Sequence, residues 1–184
     1  MSTARPLRAA AGVALGLLLS ACPSEPREEA DLVSATAWDI LDDADDPFPT
    51  HAAEAKRRCY SGFGEYLGLL DIDTNQCGYV SAAQPTLDDV FAGDEIEILA
   101  WHQALASTDP DAQGHMALVL DGELLWELVV DIPASAAIHE VHVPMDRDVP
   151  AGSEVVVHVH NHGGNTWRLS HVRVGPPSEE TDSP

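Results

Sequence analysis

Basic residues are scarce in this chain of 184 residues: 9 lysines and arginines stand against 31 aspartates and glutamates, a net charge of −22. A surface of that sign is repelled by phosphate backbones and anionic headgroups, which argues against nucleic acid as a partner and against a basic membrane patch. Long hydrophobic runs are also lacking, since the apolar stretch from Ala9 to Leu19 is too short to span a bilayer. There is no glycine-rich phosphate loop, no serine in a strand-to-helix elbow and no acid pair spaced to define a cleft. Catalysis therefore has no support, and the chain reads as a non-enzyme. Cysteine is rare too, at three, an odd number that calls for explanation in an exported protein.

What is present begins with a leader. Arg5 and Arg8 precede the apolar run, and small residues follow it, the layout of a secretory signal over residues 1–21. Within it Leu19-Ser20-Ala21-Cys22 resembles the lipobox of bacterial lipoproteins. That resemblance implies a lipid on Cys22, a membrane partnership through that lipid, and a place in the cell envelope. Pro23 is not an acidic retention signal, which favours the outer membrane over the inner. With Cys22 set aside, Cys59 and Cys77 remain as a pair that an oxidising envelope lets bridge. Closing that loop stabilises by about 3 kcal/mol in the chain-entropy account.

Residues 22–36 carry proline, glutamate and serine without apolar periodicity and are expected to form a disordered tether; residues 176–184 form a second acidic tail. Between them, 37–175 is long enough for one domain. Its opening is acidic, with Asp39, Asp42, Asp43, Asp45 and Asp46 close together. The spacing lacks the alternation and central glycine of a calcium loop and reads as solvated chain. Thr50 can cap a short helix through Cys59 whose last turn holds Lys56, Arg57 and Arg58, cations that complement the helix dipole.

From Tyr60 onward the pattern is β. Strands are expected over Leu67–Ile72, Tyr79–Ala83, Glu95–Leu105, His115–Leu120, Glu123–Ile132 and Ile138–Val143, separated by Gly, Pro and Asp turns. Asp121-Gly122 between two alternating runs is a type I′ hairpin signal. The fold class is all-β, an antiparallel, jelly-roll-like β-sandwich with one short N-terminal helix. Trp101 and Trp126 lie in apolar strand centres and are expected in the core.

The stretch from Gly152 to Gly175 alternates on both sides of Gly163-Gly164-Asn165 and reads as a closing hairpin. With position i opposite 329 − i, Val155, Val157 and Val159 build an apolar face, while the other face sets His158 against His171, His160 against Leu169 and His162 against Trp167. The Ala92-Gly93-Asp94 turn, Ile132-Pro133-Ala134 and this closing hairpin resemble the galactose-binding-like jelly rolls of carbohydrate-binding modules. That resemblance implies a sandwich whose loops or concave face hold a sugar, with no binding residue to carry over.

Three readings of the hairpin surface follow. In the first, it is a non-catalytic contact face for a ligand or an envelope partner. In the second, His158, His160 and His171 hold copper or zinc, with His102 and His115 as a second facing pair, because neutral imidazoles converge without charge repulsion. In the third, Trp167 offers a stacking platform flanked by His162 and Asn161, which is what a sugar ring needs.

Overall fold

The computed structural model describes residues 27–54, 59 and 61–178; the leader, Cys22 with its lipobox and the run Lys56-Arg57-Arg58 lie outside the described residues. In chain order the strands are β1 (Ala30–Asp31), β2 (Asp39–Ile40), β3 (Phe63–Tyr66), β4 (Leu69–Asp73), β5 (Tyr79–Pro85), β6 (Glu95–His102), β7 (Gln113–Leu120), β8 (Glu123–Asp131), β9 (Ala137–Pro144), β10 (Glu154–Asn161) and β11 (Thr166–Gly175). Among the described residues one helix, α1 (Pro49–Glu54), stands between β2 and β3, at the start of the stretch where the sequence suggests a capped helix. Proline suits its first turn, where the missing N–H has no partner to lose.

These strands form two antiparallel sheets that enclose one core, the sandwich expected from the alternation. The first sheet runs β3-β4-β11-β6-β9, with β1 added to β11; the second runs β2-β5-β10-β7-β8. Inward positions are the apolar half of each strand: Ile96, Ile98 and Ala100 on β6, Met116, Leu118 and Leu120 on β7, Val155, Val157 and Val159 on β10. Each of these side chains other than that of Ala100 contributes about 1.5–3 kcal/mol by leaving water. On β11 the inward residues Leu169 and Val172 are three apart, which strict alternation forbids. A register shift between Leu169 and His171 absorbs the extra residue. The β7–β8 turn matches expectation, with φ of 53° at Asp121 and 79° at Gly122, the two left-handed residues a type I′ turn requires. Cys59 and Cys77 are bridged.

The closing hairpin is not one. β10 pairs with β5 and β7 in the second sheet, whereas β11 pairs with β4, β6 and β1 in the first. Residues 162–165 cross from one sheet to the other, and the apolar faces of the two strands look at each other across the core. Alternation reveals which side of a strand is buried but not which strand lies beside it. Two further expectations are corrected and a third is met in part. From Arg27 on, the segment assigned to the tether packs on the sandwich: Ala30–Asp31 pair with β11, and Leu32 is fully buried. Trp101 lies on the outer face of the first sheet under the Arg168 guanidinium, 4.5 Å from its ring, rather than in the core. Trp126 does face the core, but only partly buried. Among the described residues no helix is long and apolar enough to cross a membrane.

Candidate functional site

Because β10 and β11 belong to opposite sheets, their histidines part company. On β10, Val155, Val157 and Val159 point in, so His158 and His160 point out from the second sheet. Register places Tyr79 and His115 beside His160, and Ser81 and Ala117 beside His158. An exterior of this kind would ordinarily be wet. Here residues 46–51 fold over it: Phe48 stacks on His158 with centroids 4.1 Å apart, and His51 lies 5.0 Å from His115, 5.4 Å from His158 and 5.2 Å from His160. His158 is wholly buried and His115 and His160 nearly so.

The covering segment is pinned by Asp46. Its carboxylate accepts from the Phe48 backbone N–H at 2.9 Å, the Ser81 hydroxyl at 2.8 Å and the Tyr79 hydroxyl. Ser81 Oγ in turn lies 2.9 Å from His158 Nδ1. His51 Nδ1 is 3.3 Å from His158 Nε2, and one ring nitrogen from each of His51, His115 and His158 lies within 4.8 Å of the other two. Burial, reinforced by the neighbouring imidazoles, holds His158 neutral down to about 2 and His160 down to about 4. His115 is lowered by burial and by His51, against the opposing pull of Glu127. A set of neutral, buried imidazoles can coordinate a transition metal without first losing protons.

The patch continues along β10 into a cleft. His160 and His162 meet edge to face, centroids 4.6 Å apart. Beyond them an open cleft of about 740 Å³ sits where the chain crosses between sheets, lined among others by Asn75, Ser107, Thr108, Asn161, His162 and Asn165, with no charged side chain among the described residues of its lining. Hydrogen bonds hold its floor: Asn161 Nδ2 donates to Thr74 Oγ1 at 2.8 Å and to the Gly163 carbonyl at 2.9 Å, and Asn165 Nδ2 donates to the Ala104 carbonyl at 2.8 Å. His162 Nδ1 accepts the Gln113 backbone N–H at 3.4 Å, which leaves the proton on Nε2. Gly114 is required beneath, since a Cβ there would stand 2.6 Å from Asn161 Oδ1 and 2.7 Å from Trp167 Cζ2.

Of the sequence-chosen metal ligands, His115, His158 and His160 come together. His171 does not: it lies on the far exterior, with Nε2 3.1 Å from Glu97, because β11 is in the other sheet. His102 does not face His115 either. It points into the core from β6, fully buried, its Nδ1 donating to the Gln103 carbonyl at 2.8 Å, with His139 and Trp167 against its ring. The stacking platform fails as well, for Trp167 is wholly buried and presents no face to a ligand. Asn161 and His162 do meet at the cleft, which leaves a hydrogen-bonding site without a platform. The sequence reading missed His51, Phe48 and Asp46. The one local signal was the spacing of Phe48 and His51, one helical turn apart.

No family model matches this chain, and no curated protein matches it. Among solved structures it is similar to a xylan-binding module at 11% identity, with 83% of this chain and 99% of that chain covered and a TM-score of 0.47. It is also similar to a cleaved adhesin domain of Lys-gingipain from Porphyromonas gingivalis, at 14% identity, 83% and 99% coverage and a TM-score of 0.42. A third is the C-terminal carbohydrate-binding module of a laminarinase from Zobellia galactanivorans, at 13% identity, 81% and 98% coverage and a TM-score of 0.38. At these values the likeness is one of architecture.

Proposed function

We propose that this protein is a non-catalytic binding module, held to the bacterial cell envelope by a lipid on Cys22, that seats a neutral, hydroxyl-rich ligand such as a glycan end in the cleft at the β10–β11 crossing. The cleft carries the reading: about 740 Å³ with no charged side chain among the described residues that line it, on a chain of net charge −22. Amide, hydroxyl and imidazole groups donate and accept hydrogen bonds to sugar hydroxyls, while a charged ligand would find no counter-ion among the described residues there. Trp167 is buried and offers no stacking face, so the reading rests on hydrogen bonds and shape.

Two experiments test it. The full-length chain in detergent, applied to an array of neutral and charged glycans, is expected to retain neutral ones and to lose them on His162→Ala or Thr108→Val. Retention of none, or equal retention by both variants, sinks the cleft reading. For the anchor, a fatty-acid analogue should label the wild type and not Cys22→Ala; label that persists in the variant removes the lipid from the proposal.

A further inference from the structure

The hydrogen-bond partners of the histidine patch decide where each imidazole proton sits. Ser81 has one hydroxyl proton, and it goes to Asp46 Oδ1 at 2.8 Å. Toward His158 it can therefore only accept, so the 2.9 Å contact fixes the proton on His158 Nδ1. The His158 lone pair is left on Nε2, facing His51 Nδ1 at 3.3 Å. At His115 the same logic applies in mirror form. Glu127 lies 3.3 Å from Nε2 and accepts only, which puts the proton there and the lone pair on Nδ1. Among the described residues that Nδ1 is buried with no hydrogen-bond partner, on a residue 8% exposed.

A His51–His158 hydrogen bond would account for two of the three rings and leave the third unexplained. It gives the His115 lone pair nothing to accept, the kind of buried vacancy folded proteins avoid. A metal ion accounts for all three. Two Zn–N bonds of about 2.0–2.1 Å at a tetrahedral angle place their nitrogens roughly 3.3–3.4 Å apart, which the His51–His158 spacing meets. The outer arrangement is also that of a metal site, since ligating histidines donate their other N–H to a carboxylate or to a group that leads to one. Here Glu127 serves His115, and Ser81 with Asp46 serves His158. The two carboxylates bring the negative charge that a dication on neutral ligands needs.

We propose that His51, His115 and His158 form a three-histidine site for a divalent first-row transition metal, Zn(II) or Cu(II), with Glu127 and the Ser81–Asp46 pair orienting the ligands. The fourth position is open to a water or to His160, whose ring lies 5.2 Å from that of His51. His160 also lines the cleft, so the two sites adjoin, but none of His51, His115 and His158 belongs to the cleft lining and neither reading depends on the other.

The test uses the full-length chain in detergent, without an added histidine tag and stripped by chelator. Co(II) reports tetrahedral coordination by its visible absorption, and Zn(II) and Cu(II) are titrated in competition. One equivalent per chain is expected, with a rise in melting temperature. Glu127→Gln should weaken binding about 10–100-fold, and His51→Ala and His115→Gln should weaken it further. His51 and His115 are chosen because His158→Ala removes a fully buried side chain and can unfold the protein. His171→Ala should bind as the wild type does. Absence of stoichiometric binding at micromolar metal overturns the proposal. So does undiminished binding by the His51→Ala, His115→Gln double variant.

Discussion

The two exteriors of the sandwich carry the same residue type and treat it in opposite ways. On the first sheet, His171 meets Glu97 at 3.1 Å and His142 meets Glu95 at 2.9 Å, beside the ion pairs of Arg168 with Asp71 and Arg173 with Asp31. His142 is raised by its bond to Glu95. On the second sheet, His115, His158 and His160 lie under Phe48 and His51 and are lowered by burial. Both sheets alternate alike, so the strands do not make the difference. It is made by a short segment, residues 46–51, folded over one sheet and clamped to it through Asp46. A β-sheet exterior becomes a site when something excludes water from it.

The sharpest way to break the contrast is His158→Ala. Removing a fully buried ring leaves a cavity and strips Ser81 of a partner, and should cost about 2–4 kcal/mol in urea denaturation. Phe48→Ala acts one layer out. It should cost about 1–3 kcal/mol and, more tellingly, bring His158 back toward an ordinary titration in histidine NMR. If His158 still resists protonation in that variant, the covering segment is not what holds it neutral.

Acid should separate the exteriors without mutation. The unfolded chain takes up protons on His158 and His160 from about 6.5 downward, while the folded chain holds both neutral to about 2 and about 4. More protons on the unfolded state means stability falls as pH drops from 6.5 through 4. A loss of 1 kcal/mol would lower the melting temperature by about 2–4 °C for a domain of this size. His142 has the opposite sign: its stabilisation is present below 6.5 and fades as pH rises through its raised value. An NMR titration that finds His142 and His158 protonating together would remove the distinction. The smallest effect belongs to His171→Ala, which loses an ion pair at the surface and should stay within about 0.5 kcal/mol of wild type.

Much of this architecture could be read from the chain. Alternation located β5 to β10 and the buried side of β10, Asp121-Gly122 announced its hairpin, and the cysteine count pointed to the Cys59–Cys77 bridge. What could not be read was partnership. Gly163-Gly164-Asn165 serves a hairpin or a crossing between sheets equally well, and the choice depends on contacts such as Thr74 N–H to the Asn165 carbonyl that link distant residues. Choosing the hairpin brought His171 to His158 and Trp167 to the surface, both wrongly. His51 escaped for a related reason. A helix of six residues has too little periodicity to say which sheet it covers, so its one imidazole looked incidental.

Arg27 ties the start of the described chain to the domain through Asp94, immediately before β6. The cleft lies past the other end of that strand. Eight residues at roughly 3.3 Å each separate the two, a lever of about 26 Å. Whatever holds the chain upstream of Arg27 would therefore pull on one end of β6, and the cleft opens past the other end, like the bowl of a cup held by its foot.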